Sequence, residues 1–165
     1  MSNSNTRANA LAERLLSGAK TLAAFVEGLT DSEWNQPVAG DGRTIGVVVH
    51  HVANLYPLEI ELAQVLASGK PIVDATKEVV DQMNAEHAIE FANVSKQEAI
   101  SLLLRNSKAA ADSIRAFTET EMDQSATVSL NANAPLTAQF FIEDHALRHS
   151  FHHLDKIKRT IEKQA

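Results

Sequence analysis

An all-α fold is what the sequence predicts: a four-helix bundle of the up-and-down type, with a long crossover between its second and third helices. Three observations lead there. Four long stretches repeat apolar residues at the three-and-four spacing that lines one face of a helix. The composition favours helix, with only six Gly and four Pro among 165 residues and 44% hydrophobic residues. Start and stop signals bracket the stretches. No composition break divides the chain, so residues 1–165 read as one domain, long enough for a substantial core. Residues 1–6 are polar and are expected to be disordered.

Leu11, Leu15, Ala19, Leu22, Val26 and Leu29 define the first helix, over roughly residues 7–28. Thr30 to Glu33 has the pattern of a capping box and introduces a short turn carrying Trp34, read as a plug over one end of the core. The turn-rich run from Pro37 to Gly42 is a loop. A second helix runs from about Thr44 to about Ala67, stopped by Ser68 and Gly69. Val48, His51, Leu55, Leu58 and Leu62 line its inward face, and His50 falls about a hundred degrees away, at the rim. Pro57 lies inside this helix and should free the Ala53 carbonyl and introduce a kink.

Residues 70–94 suggest one or two short helices in a crossover, with His87 at the surface or the edge of the core. Ser95 to Glu98 is a second capping box opening a third helix to about Phe117. The segment from Thr118 to Asn133 is polar, with a strand-like run at ATVSLNANA. Pro135, suited to a first helical position, opens the fourth helix to about Glu162, with Asn133 or Thr137 as its cap.

The formal net charge of −6 excludes a nucleic-acid backbone as partner, because phosphate binding needs clustered Lys and Arg. No apolar run is long enough to cross a bilayer, and the N-terminus lacks the pattern of a signal peptide. Cysteine is absent, which removes disulfides, thiolate ligands and a cysteine nucleophile. The expected location is the cytoplasm.

Chemistry concentrates in the fourth helix. His145, His149, His152 and His153, four of the seven histidines, lie within nine residues. His149 and His153 are one turn apart on the apolar stripe with Ile142, Ala146, Ile157 and Ile161. Two imidazoles at that spacing can reach one divalent ion. His51, inward-facing on the second helix, is the candidate third ligand. His145, about forty degrees off His149, is expected at the edge of the site, and His152 at a helix interface or in solvent. Asp144 and Asp155 point away from the stripe, and no general base is assigned.

These motifs resemble the DinB and YfiT-like family. TIGVVVHHVANLYPLEIELA is similar to its apolar run ending in a His followed by an aliphatic residue and Ala, which falls on His51. HSFHHLDKIKR resembles its His-x-x-x-His followed by a polar pair and Ile, which falls on His149 and His153; Lys156 stands where many members carry Gln. The resemblance implies four antiparallel helices with a crossover, frequent homodimers, and a divalent metal such as Ni or Zn on the three histidines. It also implies a small-molecule substrate and one of two activities, a metal-dependent hydrolase or a transferase using a low-molecular-weight thiol. With no cysteine in the chain, that thiol would come from outside. The contrasting expectation is a non-catalytic metal-binding or stress-response bundle. Leu16, Phe25, Leu104 and Phe141 lie off the main stripes and are the expected contacts of a two-fold interface.

Overall fold

The computed structural model describes residues 6–163. The expectation for residues 1–5 lies outside that range; Thr6, expected to be frayed, is already helical.

The four long elements form where the apolar stripes place them. Helix α1 spans Thr6–Glu27 and buries Leu11, Leu15, Leu22 and Val26. The single turn α2, Asp31–Trp34, is opened by the Thr30–Glu33 capping box. Trp34 is buried and donates its Nε1–H to the Val94 carbonyl at 3.1 Å. Helix α3 spans Ile45–Ala67 with Thr44 as N-cap, and α4 spans Lys77–Glu90 within the crossover. Helix α5, Lys96–Arg115, starts at the Ser95–Glu98 box. A third capping box, Thr118–Glu121, opens the short α6, Glu119–Asp123.

Strands β1, Ser125–Val128, and β2, Ala134–Thr137, then pair antiparallel in the region read as strand-like. Pro135 therefore sits in β2 opposite Thr127 and does not open the fourth helix. A two-stranded ribbon has only edges, where a missing N–H is tolerated. Thr137 caps the helix instead, its hydroxyl accepting from Phe140 N–H. The fourth helical element begins as α7, Ala138–Phe141, continues through a π-helical segment, Ile142–Leu147, and ends as α8, Arg148–Glu162.

Helix α5 packs against both α1 and α3, and α8 also contacts both, so α1 and α3 occupy diagonal corners of the bundle. One connected cluster of buried apolar side chains, from Leu11 and Leu15 through Val49, Val52, Tyr56 and Leu103 to Leu147 and Ile157, forms the core. Within α3 this core includes Val48, as expected, with Ile45, Val49, Val52, Ala53, Tyr56, Ile60, Ala63 and Leu66. Leu55, Leu58 and Leu62, read as core-facing, are half-buried and line a cavity. Phe141, expected at an interface between copies, is buried within the protomer, whereas Leu104 is exposed and Leu16 and Phe25 are half-buried.

Pro57 removes one donor from α3, and the fold supplies another. Asn106 on α5 donates its side-chain N–H to the Ala53 carbonyl at 2.9 Å, so helix α3 runs on through the proline. Asn106→Ala should destabilise the protein by about 1–3 kcal/mol, because the carbonyl is left unsatisfied at a packed helix contact. Urea unfolding monitored by circular dichroism measures this, and an unchanged midpoint would show that the proline needs no such partner.

Candidate metal centre

The site lies where α3 meets α8. Along α3, residues four apart form one ridge, and His51, Leu55 and Glu59 follow it into the cavity. His149 and His153 face them from α8. One ring nitrogen from each of His51, His149 and His153 comes within 4.8 Å of the other two, the group of three ligand-type side chains so arranged among the described residues. His51 and His153 are buried and His149 is partly so. The Nε2 atoms of His51 and His149 are 3.1 Å apart.

One of the three imidazoles is oriented from behind. His149 donates Nδ1–H to Glu59 Oε1 at 2.8 Å, inside a wall where Glu59 is itself buried. That bond leaves the Nε2 lone pair of His149 directed at His51. A carboxyl group behind a histidine in this way fixes its tautomer and ring plane in metal sites. The rings of His149 and His153 lie 5.0 Å apart, and His51 meets both edge-on.

Burial keeps His51 and His153 neutral. Desolvation, reinforced by the other histidines and by Arg43, pushes His51 down to about 2 and His153 down to about 3. Lone pairs are therefore available at neutral pH, as metal ligation requires. The donor set fits a divalent ion. A tetrahedral ion with bonds of about 2.0–2.1 Å separates its nitrogens by roughly 3.4 Å, close to the 3.1 Å between His51 and His149. Two nitrogens facing each other at hydrogen-bond distance are both satisfied by a shared cation. Three imidazoles and no thiolate suit zinc, nickel, copper or iron, and three protein ligands leave a position for something else.

The centre forms the floor of a cavity of about 740 Å³. Leu55, Leu58 and Leu62 of α3 make one apolar wall, and Val79, Val80 and Met83 of α4 cover it from the crossover. His145 and His152 both line the cavity. His145 is half-buried against Phe141, with ring centroids 4.2 Å apart, and His152 is exposed beside His153.

Three neighbours depart from the sequence reading. Asp144 lines the cavity and is bonded by Arg148 at 3.1 Å, although ideal helical counting turns it away. The π-helical segment that contains it adds a residue to the turn and shifts the phase by about a hundred degrees relative to α8. Asp155, beyond that segment, is exposed and paired with Arg159, as expected. His50 is buried, not at a rim. Its Nδ1 lies 2.8 Å from Nε2 of His87, and its ring stacks on Phe91 because α4 passes over that face. Glu59 was missed altogether; its signal was an acid on the His51 ridge, whereas the neighbouring Glu61 faces solvent.

Bundle and histidine cluster together define a helical protein equipped to hold a divalent ion. A family model described as the DinB superfamily matches residues 14–157, so the chain belongs to that superfamily. Among solved structures it is similar to YfiT from Bacillus subtilis, described as a probable metal-dependent hydrolase with an unusual four-helix bundle topology. The likeness has a TM-score of 0.77 at 18% identity, covering 99% of this chain and 91% of that one. No curated protein matches the chain in sequence. Among the described residues no helix is long and apolar enough to cross a membrane.

The depressed histidines make the metal-free protein sensitive to mild acid. Their folded pKa lies below the unfolded value near 6.5, so below that value the unfolded chain binds more protons and stability falls. His87, pushed down to about 4 by burial beside His50, acts in the same direction. Metal-stripped protein should lose several degrees of Tm between about pH 6.5 and about pH 5, above the range where carboxylates titrate. A flat Tm across that window would show that the imidazoles are solvated.

Proposed function

We propose that the protein is a metal-dependent enzyme acting on a small, largely apolar molecule, with His51, His149 and His153 as the metal ligands. The observation that carries this reading is the placement of three converging imidazoles on the floor of an apolar cavity. A divalent ion held there, when bound, supplies Lewis-acid chemistry, lowering the pKa of water or a thiol and polarising a carbonyl.

The chain's own residues do the rest. Glu59 holds the Nδ1 proton of His149 and so keeps Nε2 free to ligate. It is a positioning residue. Leu55, Leu58, Leu62 and the α4 side chains exclude water and seat an apolar group over the floor. Water is the first candidate nucleophile, making the protein a hydrolase; the description of YfiT supports that choice by analogy of fold. A low-molecular-weight thiol is the second, and with no cysteine in the chain it would enter from solution. Zinc and nickel are the ions that imidazole ligation and the family resemblance favour.

Metal titration and turnover test this in sequence. Metal-stripped protein should bind one zinc or nickel ion, and His51→Ala or His149→Ala should abolish stoichiometric binding while helicity by circular dichroism stays, because the bundle core packs without the metal. Loaded protein should turn over a member of a panel of activated esters, or of electrophiles offered with small thiols, and lose that turnover in His149→Ala. Stoichiometric metal without turnover on any panel would favour a non-catalytic bundle.

Glu59→Gln gives a finer check. Gln can still accept from Nδ1, but the bond is no longer charge-assisted, and metal affinity should fall about 10- to 100-fold. Competition with a chromophoric chelator reads that change. Unchanged affinity would remove Glu59 from the centre.

A further inference from the structure

The cavity over the histidines is elongated, and its lining changes character from one end to the other. His51, Leu55, Leu58, Leu62 and Val65 of α3 all line it, a continuous stripe of one helix face at steps of three and four. Leu55 to Val65 is ten residues, so the apolar part of the stripe runs about 15 Å at a rise of about 1.5 Å per residue.

Two other segments follow the same axis in the opposite sense. On the fourth helical element His153 and His149 stand beside His51, and His145 and Phe141 continue the wall at four-residue steps. On the crossover His87 lies against His50 at the histidine end, and Met83 and Val79 carry the cover along the cavity. Ile72 closes the far end with β1, its N–H donating to the Thr127 carbonyl and its carbonyl accepting from Ser129 N–H, each at 2.9 Å. Lys70 N–H donates to the Val65 carbonyl at 3.2 Å, which sets that end beside the last turn of α3.

The two ends differ in chemistry. At the histidine end stand the three imidazoles, with Arg43 closed on Asp41 by hydrogen bonds of 2.6 and 2.9 Å. That pair cancels its own charge, so this end is polar without favouring either sign. At the far end Val65, Ile72, Val128 and Leu130 line the cavity, and Asp74 joins them from the exposed side of the crossover. Asp144 and Arg148, also in the lining, are paired with each other. Leu55, Leu58, Leu62 and Val65 are only half-buried, so apolar surface is left for a ligand to cover. Phe141 has one face taken by the His145 ring, and a wall of branched aliphatics suits alkyl groups better than stacked aromatic rings.

We propose that the cavity takes an unbranched aliphatic chain, laid along α3 with its uncharged polar head at the histidines and its tail toward Val128. C–C bonds of about 1.5 Å advance an extended chain by about 1.3 Å each, so the stripe holds about twelve carbons. Leu62 and Val65 are then the residues that measure chain length. The head is the ester or amide carbonyl of a medium-chain acyl compound, placed where the ion would polarise it. This deepens the proposed function and rests on the cavity being its substrate site, but binding of the chain needs neither the ion nor turnover.

The test is isothermal titration of linear alcohols, 1-butanol to 1-tetradecanol, into metal-stripped and zinc-loaded protein. Affinity should rise about fourfold per methylene, the value of burying one CH2, and level off near dodecanol. Leu62→Trp and Val65→Trp should each move the break to shorter chains, Leu62→Trp further because it stands nearer the histidines. Pentanol should bind both variants as it binds the unaltered protein, and each should melt cooperatively, which separates a blocked channel from a failed fold. His149→Ala should lose metal yet keep the chain-length profile, so failure of the metal centre and failure of the chain site are read separately. A rise with no break, a break unmoved by either tryptophan, or no detectable binding of decanol would overturn the proposal. So would 1-adamantanol, a compact alcohol with as many carbons as decanol, binding as tightly as decanol.

Discussion

Everything near the site depends on burying three imidazoles against one another inside an apolar bundle. A buried polar group without a partner costs about 1–3 kcal/mol, and His51 and His153 are both buried, with Nδ1 of His153 meeting no acceptor. Packing around them must be good enough to offset this. It is supplied on the far side of α3 by the buried Val49, Val52, Tyr56 and Ile60, and along α8 by the buried Leu154 and Ile157. The same burial strips water from His51 and His153 and keeps them neutral, so the feature that costs stability is the one that leaves lone pairs free to hold an ion.

A second constraint is helical phase. His149 and His153 need one face of α8, while the preceding residues must turn Phe141 and Ile142 into the core and His145 toward the cavity. An unbroken α-helix ties these requirements together. The π-helical segment from Ile142 to Leu147 uncouples them by inserting a residue just before the first ligand. That is why Asp144 and His145, adjacent in sequence, can both line one cavity.

The sequence was most legible where one helix decides its own fate. The four long helices and the Thr30 and Ser95 caps follow from local pattern, and so does the inward set of His51, His149 and His153. Illegible features are those settled by a distant partner. Asn106 satisfies a carbonyl 53 residues away, Thr127 pairs with Pro135, and α4 encloses His50 from the far side of the crossover. Asp144 was misplaced because nothing in IEDHAL announces a π turn to a reading that assumes a hundred degrees per residue. Glu59 was visible in principle, but an acid in an apolar helix has many ordinary explanations until its histidine partner is seen.

The two sides of the cavity are built to different standards. The floor belongs to α3 and α8, long helices locked into the common core. The cover belongs to α4, whose only buried residue is His87 and whose Val79 and Met83 are 44% and 43% exposed even while lining the cavity. A reactive centre needs fixed geometry, and rigid helices provide it. A binding wall needs shape, which connecting segments can vary without disturbing the core. The loop carrying Arg43 stands between these regimes: it is a connection, yet Thr160 ties it to α8 and the Asp41–Arg43 pair closes it on itself. The division of labour lets one bundle keep its histidines in place while the crossover and that loop shape the cavity above them.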